Sequence, residues 1–150
     1  MAEASTALSD TVFTMLQKES FVLLSTIDHE SGAPQVNAIS WIYAVSPTRV
    51  RIALDQRSRI LTNLQQHAQA TLAFIAEGTV KSINGTTTIV KQQLDEVPIK
   101  LACIDLDIHS VRDAMFYGAR IVTEPEYEKT YDKRAAERLD GQVFAAMRKA

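Results

Sequence analysis

Apolar and polar residues alternate along much of the chain, the period-two pattern of half-buried strands, and give way locally to helical spacing. SFVLLSTID, 20–28, is rich in β-branched and aromatic residues and ends in the turn-prone HESGAP. QVNAISWIYAV, 35–45, predicts a second strand, and the turn SPT at 46–48 leads into a third, RVRIALD, 49–55. In that third strand Val50, Ile52 and Leu54 share one face while Arg49, Arg51 and Asp55 share the other. Two hairpins in succession make an antiparallel meander.

The period then changes. In RSRILTNLQQH, 57–67, Ile60, Leu61 and Leu64 fall at helical spacing, and Ser58 has the side chain to cap the first turn. Strand character returns in QATLAFIAEG, 69–78. TVKSINGTTTIVKQQL, 79–94, reads as two strands or one hairpin broken at the turn dipeptide Asn84-Gly85. Pro98 precedes a further strand, KLACIDLDI, 100–108; a short turn or helix through SVRDAMF and the brief apolar run Ala119 to Val122 follow. Near the start, Ser9 or Asp10 caps a helix to about Lys18 with Val12, Phe13 and Leu16 as its buried stripe. Residues 1–8 lack pattern and are expected to fray. After Pro125, the residues Leu139, Val143, Phe144 and Met147 predict a closing helix within about 126–149.

Six antiparallel strands with a helix inserted after the third predict a mainly β fold with helices: one domain over 1–150, a barrel plugged at its ends, with a two-sheet sandwich as the alternative. Composition narrows the function. With 16 Lys and Arg against 18 Asp and Glu, the net charge of -2 offers no general attraction to nucleic acid or anionic lipid, so any anion must be held by a local basic cluster. Cys103 is the single cysteine, which excludes an intrachain disulfide, and its apolar run assigns it to the core. The N-terminus lacks the basic start and apolar centre of a signal peptide, and no apolar stretch approaches the roughly 18 residues of a membrane span, so a cytoplasmic location is expected.

The local cluster is LDQRSRILTNL, 54–64, which puts Arg57, Ser58 and Arg59 where a strand enters a helix. The first amides of a helix lack intrahelical acceptors and carry partial positive charge, and arginines add paired donors suited to phosphate oxygens. Ser58 either caps the helix or donates its hydroxyl to a ligand. The plainer alternative is a capped surface helix with two solvated arginines.

The order of a helix, FVLLSTID, a turn with G-A-P, paired strands and then S-R-x-x-x-N-L at Ser58, Arg59, Asn63 and Leu64 resembles the pyridoxamine 5′-phosphate oxidase-like family of FMN-binding split barrels. QATLAFI, INGTTTIVKQQ and IDLDIHSVRDAMFYGARIV are similar to its later strands, so the resemblance spans about residues 9 to 125. It implies a split β-barrel, a homodimer and FMN at the subunit interface. By position, Asn37, Ala38, Ile39, Ser40 and Trp41 would run beside the flavin, and Ala53, Leu54, Asp55, Arg57, Ser58 and Arg59 would reach its phosphate. Lys81 or Ser82 would contribute from an adjacent strand, and Tyr117, with Phe116, would approach the flavin of the partner subunit. Trp41 is otherwise a core or interface residue.

The departures are specific. The oxidases carry basic residues where Asn37, Ile42 and Ile60 stand, positions that serve phosphate or substrate, which argues against oxidation of pyridoxamine phosphate itself. Two functions follow from the resemblance: a flavin-dependent oxidoreductase of a small molecule, or a non-catalytic sensor or carrier that binds flavin or haem. His29, His67 and His109 lack the spacing of metal ligands, and no metal site is expected; His109 is the candidate for haem. No side chain presents itself as the acid or base of a reaction.

Overall fold

In the computed structural model, which describes residues 4–150, the predicted meander is present and closes on itself. Helix α1, Asp10–Met15, begins at Ser9, whose Oγ accepts from the Val12 amide at 3.2 Å. Strand β1, Val22–Ile27, pairs antiparallel with β2, Pro34–Ile39. Strand β3, Ile42–Ser46, pairs likewise with β4, Arg49–Asp55. Helix α2, Arg59–Gln66, then precedes β5, Gln69–Ala76, β6, Thr79–Lys91, and β7, Leu101–Asp113. Helix α3, Lys133–Lys149, ends the chain, shorter at its start than the predicted span.

The strands form one sheet in the order β2-β1-β5-β6-β7-β4-β3. The two ends of that order, β2 and β3, are separated in the chain only by Ser40 and Trp41. Two residues reach only about 10 Å, so the ends of the sheet must meet there and the sheet curls into a split barrel. This is why seven strands appear where six were expected. The stretch 35–45 serves β1 with its first half and β4 with its second, and it breaks where it changes partner.

Three other expectations are corrected. Asn84-Gly85 is not a turn: β6 runs straight through it, with a shift of register opposite β7. A Cβ on Gly85 would collide with the carbonyl oxygen of Asp107 and lie 2.7 Å from Leu106 Cδ2, so glycine is required there by close approach. The stretch expected to turn after 108 continues as strand to Asp113. The initial segment is tied down from residue 5 onward: Ser5 and Val111 exchange backbone hydrogen bonds of 2.9 and 2.7 Å, and Leu8 is buried. Residues 1–3 lie outside the described part.

Two cores result. Leu24, Ile42, Ile52, Leu72, Ile83, Ile104 and Leu106 fill the barrel, closed by Val12 of α1, by Leu16 at its C-cap and by Ile60, Leu61 and Leu64 of α2. Outside it, Val143, Phe144 and Met147 of α3 pack over Ala53, Leu101 and Cys103, with Trp41 and Tyr43 at the margin. Arg51, on the charged face of β4, is therefore buried. Its guanidinium donates to both carboxylate oxygens of Asp105 at 2.7 and 3.1 Å and to the carbonyls of Met147 and Ala150 at 2.8 Å each. Arg49 engages Asp107 at 2.8 Å, so the acidic pair on β7 is taken up by arginines of β4.

Candidate functional site

The corner after β4 is built from local signals. Asp55 ends the strand and its Oδ1 accepts from the Arg57 amide at 2.8 Å, while its carbonyl accepts from the Ser58 amide at 2.9 Å. That reversal starts α2, and Ser58 Oγ caps it by accepting from the Ile60 amide at 3.1 Å. The Arg57 amide, followed by its side chain, holds the Asp55 carboxyl below the usual range. The Arg57 side chain itself is 91% exposed, with only Nε turned toward Asp55, at 3.4 Å.

Arg59 is committed differently. Its Nε donates to Asp28 Oδ1 at 2.6 Å and its Nη2 to Asp28 Oδ2 at 3.1 Å, a bidentate pair between the helix entry and the β1–β2 turn. Asp28 Oδ2 also accepts from the amides of Glu30 and Ser31 and from the Ser31 hydroxyl. The Arg59 guanidinium, with the Ser31 amide next, holds the Asp28 carboxyl far below the ordinary carboxylate range. Glu30 approaches the same guanidinium at 3.7 Å.

One turn further along α2, fully buried Asn63 ties the corner together. Its Oδ1 accepts from the His29 amide at 2.9 Å and pairs with His29 Nδ1 at 2.8 Å, which puts the imidazole proton on Nδ1. Its Nδ2 donates to Thr26 at 3.0 Å and to Gln35 at 3.1 Å, and Gln35 donates onward to Asn37 at 3.1 Å. Asn37 is thereby linked to α2.

Extending the β3–β4 ladder by one residue, the Ala53 amide donates at 3.1 Å to the carbonyl of Trp41, which lies in the β2–β3 break. Asn37, Ala38, Ile39, Ser40 and Trp41 therefore run into the corner formed by Ala53, Leu54, Asp55, Arg57, Ser58 and Arg59. The Trp41 ring belongs to the outer core, its Nε1 donating to Asp140 of α3 at 2.8 Å. Three predicted residues stand apart within one chain. Lys81 pairs with Asp113 at 2.8 Å, twelve positions along β7 from the Leu101 that faces Asp55. At ~3.3 Å per residue that is about 40 Å of strand path. Ser82 lies in an outward row with Ala38, Leu23, Ala73 and Arg112. Tyr117 is fully exposed in the loop after β7.

Two hollows flank the helix entry. One, of about 430 Å³, is lined by Asp28, Glu30, Ser31, Gln35 and Arg59: two carboxylates and one cation. The other, of about 390 Å³, is lined by Asp55, Gln56, Arg57, Ile99 and Lys100: one carboxylate and two cations. Lys100 has no motif to announce it. It arrives because the Gln56 amide donates to its carbonyl at 3.1 Å, a contact made by folding alone. Of the three positions where the oxidases are basic, Ile42 and Ile60 are buried in the barrel core and closed to any ligand. The cations that line the second hollow are Arg57 and Lys100.

A sequence model of the pyridoxamine 5′-phosphate oxidase family matches residues 8–103. The chain belongs to this family. Among curated proteins none matches the sequence. Solved structures agree in fold. A Lactobacillus delbrueckii protein named as a candidate pyridoxamine 5′-phosphate oxidase is 16% identical, with TM-score 0.61, over 72% of this chain and 95% of its own. HupZ of Group A Streptococcus is 10% identical, with TM-score 0.61, over 75% and 98%. HutZ, the haem storage protein of Vibrio cholerae, is 11% identical, with TM-score 0.52, over 69% and 91%. At such identities the likeness is one of fold, and the split barrel is the shared feature. No helix among the described residues is long and apolar enough to cross a membrane.

Proposed function

We propose that this member of the family binds FMN at the corner between β4 and α2, as a homodimer, and serves as a flavin-dependent oxidoreductase of a small molecule. The observation that carries the reading is the hydrogen bond from Ala53 to Trp41, because it joins the three stretches that the family resemblance assigns to the cofactor into one corner. Bound there, the flavin would supply the electron or hydride transfer. The chain's part is to bind and orient. The Arg57 guanidinium and the Ser58 hydroxyl offer donors to a phosphate, and the backbone of residues 37–41 offers alternating amides and carbonyls to the polar edge of a ring. The dimer is supported by the outward face of the barrel, where two rows of small or apolar residues cross five strands. One row is Val36, Ser25, Thr71, Asn84 and Ser110; the other holds Ala38, Leu23, Ala73 and Ser82 and ends in Arg112, the one charge in either row.

Adding FMN to the purified protein and following flavin fluorescence and absorbance tests this reading. Binding with a Kd in the micromolar range, weakened by salt, is expected, since few cations remain at the corner. No binding at high micromolar FMN would sink it. A second reading has one observation behind it: His109 lines a cavity of about 400 Å³ with Ile27, Pro34, Ala70, Thr71 and Asn84, and its Nε2 lies 2.7 Å from Thr86 Oγ1. The haem carrier it suggests would show a Soret band on titration that His109→Ala removes, without any response to FMN.

A further inference from the structure

We infer that the anion at this corner is held on the Lys100 side, by Arg57 and Lys100, and that Arg59 is a positioning residue whose guanidinium Asp28 already occupies. The inference deepens the phosphate reading above and rests on it.

The two flanks of the helix entry differ in charge and in what their cations are free to do. On the Asp28 side the single arginine donates twice to one carboxylate, at 2.6 and 3.1 Å, and a second carboxylate, Glu30, stands at 3.7 Å. Asp28 is itself buried and accepts four hydrogen bonds besides the short one from Arg59 Nε. A phosphate approaching Arg59 would either share the guanidinium with Asp28 through the N–H groups left over or displace an acceptor that the β1–β2 turn is built around, and in both cases would meet the repulsion of two carboxylates within a few ångströms. Displacement would also leave a buried carboxylate without its cation, which is costly.

On the other side the balance reverses. Arg57 gives Asp55 only a 3.4 Å contact from Nε, and its side chain is otherwise exposed. Lys100 stands beside it across a hollow of about 390 Å³, room for a phosphate group and the start of the chain it carries. Gln56 helps to fix the spacing. Its amide donates to the Lys100 carbonyl at 3.1 Å, and its side-chain amide donates to the Gln92 carbonyl at 2.6 Å, which anchors the segment before β7 against the corner. Ile99 adds an apolar wall. The chemistry that fits is a phosphate monoester held by two forked or pointed donors at the rim, with its organic part lying away from Asp28.

The test is a titration of the isotope-labelled, full-length protein with inorganic phosphate, read by NMR on the arginine Nε–H groups, the lysine side chains and the backbone amides. Saturable shifts at Arg57 Nε, Lys100 and the Gln56 amide, with Arg59 Nε unmoved, are the expected result. A shift of Arg59 Nε, alone or together with the others, overturns the inference, and so does the absence of any shift at millimolar phosphate. Asp28→Asn supplies a second measurement. It should make Arg59 Nε respond to phosphate and tighten phosphate binding several-fold, whereas an unchanged Arg59 signal in that folded variant counts against the inference. Phosphate shifts at Arg57 and Lys100 in a protein that ignores FMN would leave the inference standing and bring down the flavin reading instead.

Discussion

At the scale of single residues the corner is governed by one carboxylate. Asp28 is held ionised by Arg59 and by the amides and hydroxyl of the turn, so its folded-state pKa lies below its unfolded value near 3.9. A group depressed in this way stabilises the fold above its unfolded pKa and loses that contribution as the pH falls through the folded one. Denaturant unfolding should therefore show stability falling below about pH 4, and Asp28→Asn should flatten that limb while lowering stability at neutral pH, where the ion pair is intact. The loss at neutral pH is set by a partly exposed arginine and is correspondingly small. An acid limb unchanged in the variant would show that other carboxylates, not Asp28, set it.

At the scale of elements the decisive piece is α3. By covering β3, β4 and β7 it turns Arg51 from a surface residue into a buried one and gives Trp41 a partner in Asp140. Phe144 is its wedge into the outer core. Phe144→Ala should cost about 3–5 kcal/mol in unfolding free energy, the usual range for an aromatic removed from a core. A loss below 1 kcal/mol would show that α3 rests on the barrel without supporting it. The same helix shows what could and could not be read from the sequence. Ser58 and the strand entering it were legible because capping is decided within three residues. The hairpins at 28–33 and 46–48 were legible for the same reason, from turn residues between alternating runs. Arg51 was not, since its burial depends on residues nearly a hundred positions away. Asn84-Gly85 was misread because a dipeptide that suits a tight turn equally suits a strand that needs a bare backbone opposite Asp107. Lys100 was invisible because a backbone contact, not a motif, delivers it.

At the scale of the whole molecule the open question is what covers the outward face of β2, β1, β5, β6 and β7. Five strands at about 4.8 Å spacing and several rows of side chains present a patch on the order of 500 Å². The exposed Phe116 and Tyr117 lie in the loop that leaves β7 with the Ala114 amide donating to the Val80 carbonyl at 2.7 Å, at one end of β6. Each such ring can bury about 150–250 Å², which brings the total toward the ~800 Å² per partner of a stable interface. The rows carry a single cation and no carboxylate, so a strongly charged partner gains little there, whereas a second copy packs like on like. Two sheet faces meeting about 10 Å apart leave no room for an unpaired charge near the centre. Ala73 sits at that centre, on β5, half-buried and pointing outward. Sedimentation at micromolar concentration should accordingly give twice the 16.6 kDa of one chain, with Ala73→Glu returning the protein to the 16.6 kDa species and Ala73→Ser leaving the dimer intact. A wild-type monomer would show that the face is not self-complementary, and with it would go the expectation that Tyr117, which stands apart from the corner in one chain, approaches the flavin of the partner subunit.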